Sequence, residues 1–194
     1  KAEFEIRGFN VHPGEGKDTM INASLVAIEI NNCLPSMETP RGTEDYEGFY
    51  HLISMQGEVG EAKLNYIVRD HDKNGFEERK KTLRLIEKNL NAKWGEGTVT
   101  LKITDQYLNM KEIVEEHMHL IDHAKKACEA AGVAPLILPI RGGTDGCQLS
   151  FKGLPCPNLG TGGHAFHGPY EHISVEGMEK SVELLLALIQ EYTK

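Results

Sequence analysis

A glycine turn followed by three histidines and a glutamate is a group of potential metal ligands. The segment TGGHAFHGPYEH, residues 161–172, carries His164, His167, Glu171 and His172. Imidazole and carboxylate both bind zinc, so the segment predicts a metal site. Its glycines favour a loop, and we expect the loop to supply one ligand, because a catalytic zinc takes its ligands from several elements. Solvated histidines in a surface loop remain an equal alternative.

A second cluster of potential ligands, EEHMH at residues 115–119, lies in a segment with helical periodicity. Residues two apart on a helix point in different directions, so Glu115, His117 and His119 diverge. The H-E-x-x-H pattern, which places two zinc ligands on one helical face, is absent from the sequence. A solvated helix face is therefore the favoured interpretation.

The segment PIRGGTDG, residues 139–146, combines an arginine and an aspartate with glycines. Glycines let the backbone approach a ligand closely. The Arg141 guanidinium suits bidentate recognition of a carboxylate. The alternative is an ion pair between Arg141 and Asp145 that only stabilises a turn.

Two further polar side chains stand where predicted strands end. His12, in NVHPG, follows the first strand, and Arg69, in YIVRDHD, ends the third. Both side chains are delivered to the rim of a domain. The structural alternative for His12 is a turn histidine before a proline.

The periodicity of the apolar residues divides residues 1–106 into six elements. Alternation predicts strands, and a spacing of three to four predicts helices. The predicted elements are a strand at 3–9, a helix at 18–34, strands at 49–57 and 62–70, a helix at 75–92 and a strand at 97–105. This order is the split βαβ arrangement. We therefore predict a ferredoxin-like βαββαβ domain that ends near residue 106.

Residues 107–194 follow a different pattern. The predicted elements are a helix at 111–131 capped by Gly132, a buried strand at 133–140, a short helix after the glycine-rich turn, a buried strand at 154–163 and a final helix at 175–192. Two strands are too few to cover these helices. The pattern therefore predicts the tail of an incomplete α/β sheet. The start at Lys1 instead of a methionine agrees with a chain cut from something longer.

Composition and charge exclude several classes of protein. Hydrophobic residues make up 40% and charged residues 26%, which is ordinary for a globular protein. The formal charge of −8 disfavours nucleic acid as a partner, and no apolar run reaches the roughly 20 residues that cross a bilayer. Four widely spaced cysteines without a C-x-x-C pair favour a reducing cytoplasm over a disulfide framework.

Six segments in chain order resemble one family: GFNVHPG, EGFYHL, YIVRDHD, PIRGGTDG, LSFKGLPCPNLGTGG and HGPYEH. Together they resemble the carboxyl-terminal half of the cytosolic aminotripeptidases in the co-catalytic zinc peptidase family, which also contains carboxypeptidase G and the succinyl-diaminopimelate desuccinylases. In that family a smaller ferredoxin-like domain, which forms the dimer, interrupts a two-zinc catalytic domain. The resemblance implies that residues 1–106 are this dimerisation (lid) domain and residues 107–194 the last part of the zinc peptidase catalytic domain.

The resemblance also implies roles for two histidines. His167, in the HG match, corresponds to the last zinc ligand of the family. His12, in the VHPG match, corresponds to the catalytic histidine that crosses from the partner subunit towards the scissile carbonyl. The family has an aromatic residue where His164 stands, so His164 is not expected to bind metal.

Four other residues match segments of the family's substrate site. Arg69 and Arg141 correspond to arginines that line the peptide site and are expected to hold the substrate carboxylate. Asp145 and Asn158 fall in matching segments and are expected to line the same site. The implied substrate is a small peptide.

The family's remaining zinc ligands and its general base have no counterpart in this sequence. No H-x-D is present, and the Glu77-Glu78 and Glu115-Glu116 pairs lie at no matching position. One imidazole cannot hold a catalytic zinc. The resemblance therefore implies two zinc ions per active site in the full-length parent, not fully bound by this chain.

Two hypotheses about function follow from these residues. In the first, the parent is a cytoplasmic, homodimeric metallo-aminopeptidase that releases the amino-terminal residue from tripeptides, and this chain alone is inactive. In the second, the chain is a non-catalytic dimerisation or binding module.

Overall fold

A computed structural model of the chain describes residues 1–106 and 108–193. The fold is mixed α/β and divides into two compact units. The first unit contains residues 1–106 together with 139–142, and the second contains the other described residues. No helix in the described part of the chain is long and apolar enough to cross a membrane.

The first unit is built on one antiparallel sheet. Its elements are β1 (Ala2–Arg7), a 3₁₀ turn (Pro13–Glu15), α1 (Ala23–Asn32), β2 (Phe49–Gly57), β3 (Glu61–Arg69), α2 (Lys73–Trp94) and β4 (Val99–Ile103). The order of strands and helices is the one that the periodicity predicts. The strands pair antiparallel in the order β2-β3-β1-β4, so β2 and β4 form the edges.

The core of the first unit lies between one face of the sheet and the two helices. Phe4 and Ile6 of β1 are 0% and 1% exposed, whereas Glu5 between them faces solvent. This alternation follows from the two-residue period of a strand. The Phe4 and Tyr66 rings meet edge to face, with their centres 6.2 Å apart.

The helical spacing of the apolar residues Met20, Ile21, Ala23, Leu25, Ile28 and Leu34 predicts a stripe that faces inward, and this prediction is wrong at two positions. Leu25 and Ile28 are 62% and 46% exposed. Met20 and Ile21 precede the helix, so a stripe that includes them has the wrong phase. The buried residues of the helix are Ala23, Val26, Ala27 and Ile30.

The second unit consists mainly of helices. Its elements are α3 (Lys111–Val114), a 3₁₀ turn (Glu115–His117), α4 (His119–Ala130), α5 (Asp145–Phe151), β5 (Gly163–His164), β6 (His172–Ile173) and α6 (Val175–Glu191). The turn divides the helix that was predicted at 111–131. Gly132 follows with a φ of 71°, the left-handed cap that the sequence predicts. The helices α4 and α6 pack against each other.

The two buried strands predicted in this unit are wrong. Residues 133–140 form no strand, and of residues 154–163 only the last is in a strand. Leu136, Ile137 and Leu138 are 71%, 65% and 68% exposed. An extended segment becomes a strand only when a neighbouring backbone accepts and donates its hydrogen bonds. Among the described residues of this unit, the two-residue β5–β6 pair is the only ladder.

The last helix has the predicted position but not the predicted burial. The helical spacing predicts an inward face made of four apolar residues, but all four are between 50% and 62% exposed: Val182, Leu185, Leu186 and Ile189. The cause is the same, because no sheet in the described residues of this unit covers that side of α6.

Candidate functional site

His12 lies on a loop that is fixed at its base. Phe9 N donates to Ile21 O at 2.9 Å, and Ile21 N donates to Phe9 O at 3.0 Å. Gly8 precedes this bridge, and a Cβ on Gly8 would lie only 2.0 Å from Val59 O. A side chain does not fit there, so the base of the loop requires glycine.

The His12 ring is oriented by its own turn. Its Nδ1 accepts a hydrogen bond from Gly14 N at 3.2 Å, as the cap of the 3₁₀ turn. The ring itself is exposed. Gly14 could not be recognised from the sequence, because histidine is not among the residues that usually cap a helix.

Phe49, at the start of β2, lies next to both predicted substrate arginines. Arg69 is its cross-strand partner on β3. The guanidinium carbon of Arg141 lies 4.8 Å from the centre of the Phe49 ring. The structure therefore brings Arg69 and Arg141 to one end of the sheet in the first unit.

Arg141 holds the chain segment that leads into β2. Its Nη1 donates to Thr43 O at 2.6 Å, and its Nη2 donates to Thr43 Oγ1 at 2.5 Å and to Glu47 O at 3.1 Å. Its Nε is buried and has no hydrogen-bond partner in the described structure. Sequence reasoning missed the contacts with Thr43 and Glu47, which are almost 100 residues away along the chain.

A part-buried ionic network lies beyond the end of β3. Arg79 Nε donates to Asp70 Oδ2 at 2.8 Å, and Arg79 also pairs with Glu38. Burial lowers the pKa of Arg79, but the hydrogen bonds to Glu38 and Asp70 outweigh it, so the net shift is upward. A Cβ on Gly48 would lie 2.3 Å from Asp70 Oδ2, so glycine is required at the entry to β2.

Asp145 and Asn158 both lie near the first turn of α5. Thr144 caps the helix, because its side chain accepts from Cys147 N at 3.2 Å. Asp145 is exposed in the first turn, where a carboxylate is favourable. Asn158 lies over Gly146, since its Oδ1 would be 2.9 Å from a Cβ there. Asn158 Nδ2 is buried without a partner in the described structure.

Ser150 connects the helix to the segment that carries this asparagine. Its Oγ donates to Gly146 O at 2.8 Å and accepts from Cys156 N at 3.0 Å. Cys147 Sγ donates to Leu108 O at 2.8 Å. Burial raises the pKa of the Cys147 thiol, which favours its protonated and less nucleophilic form.

His167 lies in the loop between β5 and β6 in an uncommon backbone conformation. Its φ is 64°, and Ala165 has a φ of 54°. The backbone N of His167 donates to Glu171 Oε2 at 2.9 Å. Left-handed residues other than glycine cost free energy and concentrate at functional sites. Glu171 was noticed in the sequence only as a possible ligand, and here it holds the loop.

The other two histidines of this loop form a cross-strand pair. His164 lies opposite His172, and their stacked ring centres are 5.3 Å apart. The described residues contain no group of three or more His, Cys, Asp or Glu side chains that could hold a metal ion.

Comparison with known proteins defines the class to which this fold and these residues belong. Residues 9–191 match the model of peptidase family M20/M25/M40, so the chain belongs to that family. It is 53% identical over 193 residues to Peptidase T of Clostridium perfringens, covering 100% of this chain and 48% of that protein. It is 50% identical over 193 residues to Peptidase T of Caldanaerobacter subterraneus subsp. tengcongensis, covering 100% of this chain and 47% of that protein. The resemblance carried by the six segments is thus confirmed.

Solved structures show the same fold. Aminopeptidase PepT from Bacillus cereus superposes with a TM-score of 0.75 at 20% identity, covering 100% of this chain and 51% of that chain. A tripeptidase from Staphylococcus aureus superposes with a TM-score of 0.76 at 18% identity, covering 97% and 50%. The chain spans about half the length of the relatives that it matches.

Proposed function

We propose that the chain is part of a zinc-dependent cytoplasmic aminopeptidase that releases the amino-terminal residue from tripeptides. The observation that carries this proposal is identity of about 50% over the whole chain to proteins named Peptidase T. In the proposal, residues 1–106 are a ferredoxin-like dimerisation domain. Residues 107–194 are the last part of the catalytic domain.

We assign His167 as one ligand of a two-zinc centre in the whole protein. The left-handed φ of 64° and the hydrogen bond to Glu171 support this role, because they fix the loop at an energetic cost. The described residues supply too few ligands for a catalytic metal. The proposal therefore holds that this chain alone neither binds zinc fully nor hydrolyses peptides.

Two unsatisfied donors support the proposed substrate residues. Arg141 Nε and Asn158 Nδ2 are buried without partners in the described structure. A buried donor without an acceptor costs roughly 1–3 kcal/mol, and such unsatisfied groups mark these two residues as candidates for a binding role. We propose that Arg69 and Arg141 bind the substrate carboxylate and that Asn158 and Asp145 line the site.

We further propose a homodimer formed through the first unit. The edge strand β2 exposes Ile53 and Met55 by 52% and 39%, and α1 exposes Leu25 and Ile28 by 62% and 46%. Unpaired edge strands bind other strands, and a two-fold axis pairs the same surface on both subunits. Ile53→Lys should then shift sedimentation from dimer to monomer, and a wild-type monomer would contradict the proposal.

A chimera tests the catalytic proposal. We would join this chain to the remaining half of the Clostridium perfringens relative and measure tripeptide hydrolysis and zinc content. We expect activity with two zinc ions per chimera and neither in the isolated chain. His167→Ala should lower both zinc content and activity, whereas the matched control His164→Ala should retain both. Full activity of the isolated chain would refute the proposal.

The role of His12 has its own test in the same chimera. As an oxyanion donor, His12 should contribute to turnover and little to substrate affinity, so His12→Ala should lower kcat by roughly 10²–10³ while KM changes little. An unchanged kcat would remove His12 from the catalytic residues.

A non-catalytic dimerisation or binding module is the second candidate. It is favoured by the missing group of three metal-binding side chains in the described residues. A chimera that dimerises but neither binds zinc nor cleaves peptides would support it.

A further inference from the structure

We propose that the Gly14 amide favours, for the neutral ring of His12, the tautomer whose proton is on Nε2. His12 then acts as a hydrogen-bond donor and not as a general base. The part that concerns catalysis rests on the proposed function, in which His12 reaches the reacting carbonyl. Gly14 is a positioning residue, because it acts only through the His12 ring.

The geometry of the turn determines the tautomer. A backbone N–H can only donate, so the Nδ1 that lies 3.2 Å from Gly14 N must offer a lone pair. A neutral imidazole carries one N–H, which is therefore on Nε2. Pro13 has no N–H, so Gly14 supplies the first amide of the 3₁₀ turn that needs an acceptor.

The same turn holds the main chain of His12. Its carbonyl oxygen accepts from Glu15 N at 2.8 Å, so both ring and backbone of His12 are tied to residues 14 and 15. The bridge between Phe9 and Ile21 closes the loop on which this turn stands. The ring is exposed, which leaves Nε2–H available to a ligand.

The tautomer decides which chemistry His12 can perform. A general base needs a lone pair on the nitrogen that faces the substrate, and here that nitrogen carries the proton. A neutral imidazole N–H stabilises a developing oxyanion without requiring a proton transfer.

Nitrogen NMR of the 194-residue chain tests the tautomer directly. Long-range ¹H–¹⁵N correlation at about pH 8 distinguishes protonated from unprotonated ring nitrogens, and loss of signals in His12→Asn assigns them. We expect the ratio of the Nε2–H to the Nδ1–H form to be about fivefold higher for His12 than for the exposed His51, the factor that one hydrogen bond contributes. Gly14→Pro removes the donor and should lower the His12 ratio about fivefold.

Gly14→Ala is the matched control, because it retains the amide. Its Cβ would lie 3.2 Å from Nδ1, which displaces the ring slightly without removing the hydrogen bond. Equal ratios in His12 and His51, or equal effects of the two Gly14 variants, would overturn the proposal. If Gly14→Pro does not fold, the comparison of the His12 and His51 ratios in the unaltered chain still tests the proposal. None of these outcomes depends on zinc or hydrolysis, so they are independent of the test of the proposed function.

Discussion

The two units differ in how far they bury apolar side chains of the same kind. Leu64 on β3 and Leu83 on α2 are both 0% exposed in the first unit. In the second unit, Leu186 on α6 is 57% exposed and Ile137 is 65% exposed. Both pairs come from apolar patterns that predict burial. The pattern therefore reports which face is apolar and not whether anything covers that face.

The difference follows from the sheets. Four paired strands and two helices close the core of the first unit. Within its described residues, the second unit has one two-residue strand pair and the packed helices α4 and α6. Burial of apolar surface stabilises by about 25 cal/mol per Å², so the first unit should be much the more stable of the two.

The proposed site residues differ less between the units. In each unit, a hydrogen bond from a backbone N–H holds a proposed site residue or its loop: Gly14 N donates to His12 Nδ1 in the first, and His167 N donates to Glu171 Oε2 in the second. Such local contacts do not need a complete sheet. Site geometry can therefore be formed in a unit whose apolar faces are exposed.

The largest expected effect is a cavity in the first unit. Leu64→Ala removes a fully buried side chain and should lower the free energy of unfolding by roughly 3–5 kcal/mol. Urea unfolding followed by circular dichroism measures the change. A loss below about 1 kcal/mol would show that the first unit is not the stable one.

Breaking the ionic network at Arg79 should have the next largest effect. The Arg79 and Asp70 side chains are 14% and 10% exposed. Arg79→Met leaves Asp70 buried without its partner and should cost about 3 kcal/mol in urea unfolding. Lys180→Met, which breaks the exposed pair with Glu183 on α6, is the control and should cost less than about 1 kcal/mol. Equal losses of unfolding free energy in the two variants would mean that the buried pair of the first unit is no more stabilising than the exposed pair of the second.

The local pattern of apolar residues was sufficient to predict the strands and helices of the first unit, but not the strands of the second. Alternation at Phe4, Ile6 and Leu64 predicts strands that find partners within about 100 residues. The prediction of a strand at 133–140 is wrong because a strand needs a second segment to pair with, and the described residues supply no such partner segment. For the proposed site, motif resemblance predicts roles for His12 and His167, which stay predictions, and it could not identify long-range contacts such as Arg141 to Thr43.

The pH dependence of stability gives an intermediate effect. Burial raises the pKa of Tyr66 to about 12, compared with about 10 in the unfolded chain. Below about pH 10 both states hold the proton, so the full stability is present. As the pH rises from about 10 to 12, the unfolded state loses the proton first and stability falls by about 2 kcal/mol.

Urea unfolding at several alkaline pH values measures this decline. Tyr66→Phe should reduce it, since no phenol remains to titrate at that position, and the remainder should include Tyr50, whose pKa burial also raises. Tyr170→Phe, which removes a tyrosine that is 82% exposed in the second unit, should leave it unchanged. A decline that persists in Tyr66→Phe would assign the pH dependence to other groups.

The smallest expected effect comes from the second unit and depends on what surrounds it. Leu186 is 57% exposed in this chain, and alanine has the best helix propensity. Leu186→Ala should therefore change the stability of the isolated chain by less than about 0.5 kcal/mol. If the remaining half of the relative covers α6 in the chimera, the same substitution there should cost roughly 2–5 kcal/mol. An equally small effect in both proteins would mean that α6 stays uncovered in the chimera. The difference in apolar burial between the two units would then be a property of the fold and would not result from the missing half of the chain.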